Sequence, residues 1–165
     1  MDDRTLYDTA PSPLGPLLLT SDGDAVTGVF MERHRHGPAV GARWTRDAGP
    51  FAALREQLGA YFAGDLRTFS VATRAAGTPF QQAVWAALLD IPYGATESYG
   101  ALAVRIGQPA AVRAVGAANG RNPLSVVVPC HRVVGAAGAL TGYGGGVENK
   151  RRLLALESRQ HALFG

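Results

Sequence analysis

The patterning of the chain changes at Thr78-Pro79-Phe80-Gln81, and this switch most restricts the folds open to it. Upstream, apolar residues come in short runs. Leu6–Thr9, Leu17–Thr20 and Val26–Met31 read as strands, broken by Pro11, Pro13, Gly15 and the turn Ser21-Asp22-Gly23. Glu32–Gly49 is polar and irregular. Over Phe51–Ala63, Phe51, Leu54, Leu58, Tyr61 and Phe62 share one helical face, and Leu66–Thr73 is expected as a last strand. Downstream the pattern is helical. Thr78 reads as an N-cap, with Pro79 at the first helical position and Gln81 at the third. That helix should run to about Asp90, with Val84, Trp85, Leu88 and Leu89 inward, and stop at Ile91-Pro92-Tyr93-Gly94. Two more helices, Ser98–Ile106 and Ala110–Asn119, flank the turn Gly107-Gln108-Pro109, a helix-turn-helix pattern that is common and unspecific. Ser125–Val128 reads as a buried strand-like run, Gly135–Gly146 as a glycine-rich loop, and Glu148 to about Ala162 as a final helix. The expected fold is α+β, with a small sheet-bearing domain at 1–76 and a mainly helical domain at 77–165, joined at Arg74-Ala75-Ala76-Gly77.

Charge divides along the same line. Met1–Ala76 carries 8 Lys/Arg and 9 Asp/Glu, whereas Tyr99–Gly165 carries 8 Lys/Arg against Glu148 and Glu157. A basic C-terminal half is what a polyanionic partner requires, although many basic faces are merely solvated. The acidic start MDDRTLYDTAPSPLG has no apolar run and does not read as a leader. No apolar stretch is long enough for a membrane span, so no membrane partner is expected. Cys130 is the one cysteine, which excludes an internal disulfide and a cysteine-cluster metal site. A lone thiol survives best in a reducing cytoplasm. His34-x-His36 lacks a third ligand and is taken as surface, so no metal is expected.

Cys130 and His131 adjoin after an apolar run and Pro129. A nucleophilic thiol needs a base or cation nearby, but side chains of neighbouring residues diverge. Contact would need a turn here, or a bridging water. For an arbitrary Cys-His pair, an inert core thiol is the commoner case. Glu157 shifts that balance. Lys150, Leu153, Leu154, Glu157 and His161 fall on one face of the last helix, which places a carboxylate where side chains should face the core. Two partners stand level on spacing: His131, giving a Cys–His–Glu triad, or a Lys or Arg in an ion pair. In Ala110–Asn119 nearly every residue is small except Arg113, which suits close approach to a duplex with a single long side chain entering it, or else plain helix packing. Asn122-Pro123 is a turn, and Thr141–Gly146 could present backbone N–H groups to a ligand.

Together these pieces resemble the methylated-DNA–protein-cysteine methyltransferases, or O6-alkylguanine-DNA alkyltransferases. The likeness rests on Pro129-Cys130-His131-Arg132-Val133, Phe80-Gln81-Gln82-x-Val84-Trp85, Ile91-Pro92-Tyr93-Gly94, Ser98-Tyr99, Val112–Gly116, Asn122-Pro123, Gly142-Tyr143-Gly144 and Lys150…Leu153-Leu154…Glu157. Ser12–Gly15 and Tyr61–Gly64 also fit. The resemblance implies an N-terminal α/β domain with an antiparallel sheet and a mainly helical C-terminal domain. It implies single-turnover transfer of a methyl or other alkyl group from O6-alkylguanine, and from O4-alkylthymine, in double-stranded DNA to Cys130, with the base flipped out and no cofactor. His131 would take the thiol proton, with Glu157 and Asn122 holding the network. Tyr99 would protonate the leaving base, and Arg113 would fill the vacated stack, with Tyr99 and Gly100 also at the DNA. Pro129, Val133, Tyr143 and Gly144 would line the base pocket. Gly144 stands where some relatives carry serine. The expected state is a monomer, with cooperativity on DNA left open. Rival readings are a non-reactive sensor of alkylated bases, a Cys-His hydrolase and a plain helix-turn-helix regulator. The first lacks the acceptor thiol, and the others leave Arg113 or Cys130 and Glu157 without a task.

Overall fold

The computed structural model describes residues 4–141 and 143–164, with side chains to residue 159. β1 (Leu6–Ala10), β2 (Leu17–Ser21) and β3 (Val26–Met31) form an antiparallel meander, and β4 (Thr45–Arg46) adds in parallel to β1, giving the order β3-β2-β1-β4. The period-2 pattern turns Leu17 and Leu19 inward against Phe51 and the apolar stripe of α1 (Ala52–Phe62), where Leu54, Leu58 and Tyr61 are buried. α2 (Pro79–Leu88) begins with the expected capping box. Thr78 accepts from the Gln81 backbone N–H, and the Gln81 side chain accepts from the Thr78 N–H. β5 (Glu97–Ser98) leads into α3 (Tyr99–Arg105), and α4 (Val112–Gly120) follows a turn in which Gly107 takes φ +78°. β6 (Val133–Val134) and α5 (Val147–Phe164) complete the chain. α4 is fastened to α2 by the Trp85 indole N–H, which donates to the Ala118 carbonyl at 2.8 Å.

Four expectations are corrected. The Glu32–Gly49 segment contains β4, whose two residues are exposed and so carry no alternation; it is held by main-chain bonds from Thr45 to Thr5 and from Asp47 to Tyr7. Leu66–Thr73 is not a strand. It meets β3 only at its end, where Thr73 bridges Val26. Leu89 is 61% exposed rather than inward, because α2 ends at Leu88. Ser125–Val128 is buried but is a compact turn. Val126 sits at φ +72°, and the Val127 and Val128 N–H groups bond back to Ser125 and Leu124. A β-branched residue in the left-handed region is strained by about 1–3 kcal/mol and persists only where packing imposes it. Here the turn is clamped to β3. The Val29 N–H donates to Pro123 at 2.8 Å, and the Ser125 N–H returns to Val29 at 3.2 Å, so the outer edge of β3 is covered.

Two short parallel pairings, Glu97 with Val133 and Ser98 with Val134, lay the start of α3 beside the segment that follows Cys130. Thr78→Ala should lose about 1 kcal/mol by removing one half of the box. A thermal melt should then fall by about 2–4 °C; an unchanged midpoint would show that packing of Trp85 alone sets the helix start.

Candidate active site

Proline before the thiol and a tight turn after it decide the local geometry. Cys130, His131 and Arg132 form one 3-10 turn. Cys130 is 3% exposed. Burial pushes its thiol up to about 11; a hydrogen bond from Asn122 and the nearby Lys150 ammonium oppose that rise. The thiol is therefore protonated at neutral pH. The Asn122 amide donates to the Val128 carbonyl at 3.0 Å, and its oxygen accepts from Leu124, so the residue both braces the strained turn and touches the thiol. Asn119, on the inward face of α4, donates to the Cys130 carbonyl at 3.2 Å.

His131 is fully buried and its Nε2 lies 2.7 Å from Glu157 Oε2. The two partners left open by spacing are both present. Arg132 donates to Glu157 through Nε at 2.7 Å and Nη2 at 3.0 Å, and its Nη1 reaches the Ile91 carbonyl at 2.8 Å. The Tyr61 hydroxyl donates to Oε2 at 2.6 Å from α1. Burial alone would raise the Glu157 carboxyl; the charge and hydrogen bonds of His131 and Arg132 outweigh it and hold the group at about 2. An ionised carboxylate only accepts, so Nε2 carries a hydrogen toward Glu157; in the neutral form of the ring Nδ1 is then the nitrogen free to accept. Nδ1 has no partner among the described residues. The same is true of Asn119 Oδ1, Ser125 Oγ and the Tyr93 and Tyr143 hydroxyls.

Tyr99 opens α3, half-buried, and its hydroxyl donates to the Thr141 carbonyl at 2.5 Å. The same carbonyl accepts from Lys150 at 2.8 Å. Lys150 is fully buried on α5, and desolvation lowers its ammonium to about 8 against the pull of Cys130. Its Nζ is 5.7 Å from the centre of the Tyr99 ring. Gly100 is half-exposed in the first turn of α3, with open space where a Cβ would stand. Arg113 is exposed on α4 beside Val112 and Ala114. Val133 and Tyr143 are buried near the thiol, whereas Pro129 borders a separate recess with Tyr93 and Arg132. Gly144 is packed so closely that a Cβ would lie 2.8 Å from His34 Nε2 and 2.9 Å from the Gly120 carbonyl, so serine has no room there. His34 is half-buried rather than on the surface. Among the described residues, no group of three or more His, Cys, Asp and Glu is placed to hold a metal ion. Nor is any helix long and apolar enough to cross a membrane. Gly142 and the His161 side chain lie outside the described residues.

The residues that sequence reasoning gave no role are Tyr61, Arg132, Lys150 and Asn119. Three of them sit inside motifs already quoted, but only the fold brings them to the thiol and the carboxylate.

Comparison with known proteins agrees with this geometry. Two family models match, 6-O-methylguanine DNA methyltransferase, ribonuclease-like domain, over residues 5–75, and 6-O-methylguanine DNA methyltransferase, DNA binding domain, over residues 79–159. The methylated-DNA–protein-cysteine methyltransferase of Mycobacterium tuberculosis H37Rv is 54% identical over 92% of this chain and 91% of its own length. That of Methanosarcina acetivorans is 46% identical over 92% and 97%. The crystal structure of Mycobacterium tuberculosis OGT in complex with DNA superposes with a TM-score of 0.86 at 50% identity, covering 95% of this chain and 94% of that one. The chain belongs to the methylated-DNA–protein-cysteine methyltransferase family.

The Glu157 cluster makes stability depend on acid in a definite sense. The folded carboxyl titrates near 2 and the unfolded one near 4.5. Its contribution is therefore whole above about pH 4.5 and is lost as pH falls through about 2. Denaturant midpoints should decline across that window. In Glu157→Gln the decline should flatten, while stability at pH 6 falls by about 3–5 kcal/mol because Arg132 is left buried without its anion. Equal acid slopes in the two proteins would contradict the pairing.

Proposed function

We propose that this protein repairs alkylated double-stranded DNA by moving an alkyl group from O6-alkylguanine, or O4-alkylthymine, to the sulfur of Cys130, once per molecule. The observation that carries the reading is the His131 ring: Glu157 takes Nε2 and leaves Nδ1 buried, without a partner among the described residues and one residue from the only thiol in the chain. In this reading Nδ1 accepts the thiol proton, directly or through a water, as the sulfur attacks the alkyl carbon in line. The carbon–O6 bond breaks and its electron pair passes into the guanine ring. Tyr99 supplies the proton that neutralises the departing base, and the His131 imidazolium is held by Glu157. The product thioether has no ready reversal. A thiol raised to about 11 is unreactive until a substrate arrives, which protects a single-use group. The Tyr99 hydroxyl, now given to Thr141, would exchange that carbonyl for the ring nitrogen of the base.

Base entry would use the exposed face of α4. Small residues at Ala114 and Ala117 let the helix approach the minor groove, and Arg113 would fill the space left by the flipped base. Gly100 would allow the start of α3 to come close to the DNA. Val133, Tyr143 and Gly144, with the backbone at Pro129-Cys130, would line the base pocket. We assign residues 1–76 and 77–165 as two domains, supported by the family-model boundaries at 75 and 79. The reaction as written draws only on groups of one chain, so we assign action as a monomer without a cofactor, in a reducing cytoplasm where a lone thiol survives.

Incubation with O6-methylguanine DNA should add one methyl mass per protein, on the peptide containing Cys130; repeated turnover, or no added mass in active protein, would sink the proposal. Arg113→Ala should slow repair of duplex DNA by tenfold or more while changing the reaction with the free O6-alkylguanine base less than about twofold. Extrusion costs a few kcal/mol, and only the duplex pays it. An equal fall in both rates would assign Arg113 to pocket support instead.

A further inference from the structure

A recess of about 510 Å³ lies between α4 and the loop after β3, lined by Arg33, Arg35, His36 and Arg121 with Gly116 and Ala117, and it shares Tyr143 and Gly144 with the proposed base pocket. Cys130, His131 and Tyr99 do not line it. We propose that this recess is a second contact for the DNA backbone, in which arginines from the sheet side of the molecule hold a sugar–phosphate unit of the duplex bound on α4. It rests on the repair reading above.

Three observations point to a built anion site. First, the charge is uncompensated. No Asp or Glu lines the recess, and Arg33, Arg35 and Arg121 make no ion pair among the described residues. The one carboxylate next to the loop, Glu32, is turned the other way, with Oε2 3.7 Å from where a Gly15 Cβ would stand.

Second, the loop is fixed rather than loose. Arg33 and His36 occupy φ +58° and +63°, a conformation that side-chain-bearing residues rarely adopt. His34 between them is folded inward, where its Nδ1 accepts from the Met31 N–H at 3.3 Å and its ring meets Phe30 edge-on at 5.4 Å. Burial, reinforced by His36, lowers the His34 imidazole to about 4, so it is neutral and serves as an apolar anchor. The Arg35 N–H donates to the Gly144 carbonyl at 2.7 Å, which ties the loop to the 143–146 segment. The backbone that carries the cations is thereby pre-placed on the rim of the recess.

Third, the recess adjoins the face that should meet DNA. Gly116 and Ala117 follow Arg113 by three and four residues and so lie on its side of α4. A duplex seated on Arg113 passes this opening. Guanidinium groups around a cavity of this size suit a phosphodiester, with two parallel N–H donors per phosphate.

The test is Arg33→Ala/Arg35→Ala in the full chain, with Arg33→Lys/Arg35→Lys as the charge-preserving control and melting curves to confirm folding. Binding to undamaged duplex is measured between 50 and 200 mM salt. The alanine variant should lose about 0.9 of slope in log K against log salt for each phosphate contact removed, and bind on the order of tenfold more weakly per contact. The lysine variant should retain the wild-type slope. Reaction with free O6-alkylguanine should stay at the wild-type rate. An unchanged slope and affinity, with wild-type protein still methylated at Cys130, overturns the recess proposal and leaves the repair reading standing. Absence of methylation in the wild type overturns the repair reading itself. A slower free-base reaction without a change in slope would make the recess part of the base pocket. Loss of cooperativity alone, with single-molecule affinity intact, would assign it to contact with a neighbouring protein; both results overturn the phosphate role.

Discussion

The carboxylate of Glu157, 1% exposed, holds the site together. A charge so deeply placed is tolerable only because both oxygens are fully engaged, by Tyr61 from α1, by His131, and by the two-pronged Arg132. Arg132 is itself tied to the Ile91 carbonyl and lies 5.6 Å over the Tyr93 ring. One anion thus fixes the rotation of α5, the turn that carries the thiol, the stop after α2 and the helix under the sheet. Lys150 sits two turns earlier on the same side of α5, so the rotation that buries Glu157 also brings an ammonium to Thr141 and toward Cys130. The orientation of the nucleophile and its electrostatic surroundings share a common origin.

Local signals in the sequence were reliable where the structure they encode is itself local. The capping box at Thr78 and the inward face of α5 depend on residues three or four apart, and both are present. Cys130 and His131 could be singled out in the sequence because few residue types offer a nucleophile and a base. What failed was set at a distance. β4 has no alternation to read, since its pairing is main chain to main chain along β1. Ser125–Val128 has the composition of a strand, but Asn122 and the edge of β3 bend it into a turn with Val126 at positive φ. Glu157 was correctly expected to need a partner, but a choice between His131 and some Lys or Arg was the wrong question. Two oxygens can satisfy both, together with a tyrosine 96 residues away.

The resting state of the thiol follows from the same packing. Burial keeps Cys130 protonated, yet Asn122, Lys150 and two backbone N–H groups already favour its anion. The arrangement is poised, with desolvation holding back a charge that the neighbouring dipoles are directed to receive. Thr141 is the shared acceptor for Tyr99 and Lys150, so a ligand that draws the tyrosine hydroxyl away still leaves the carbonyl satisfied by the lysine.

The contact between Gly144 and His34 has a consequence for comparing members of the family. The volume that a side chain at 144 would need is filled by an imidazole from a segment more than a hundred residues earlier. The Gly120 carbonyl stands equally close, so a side chain at 144 needs both the imidazole and the end of α4 to give way. A chain with serine at this position must relieve both contacts, by a smaller residue or a rerouted loop after β3 and by a shift of the end of α4. The crowding around Gly144 is therefore a property of residues drawn from both halves of the chain. A graft of the C-terminal half from a serine-bearing relative onto this sheet would bring the mismatch with it.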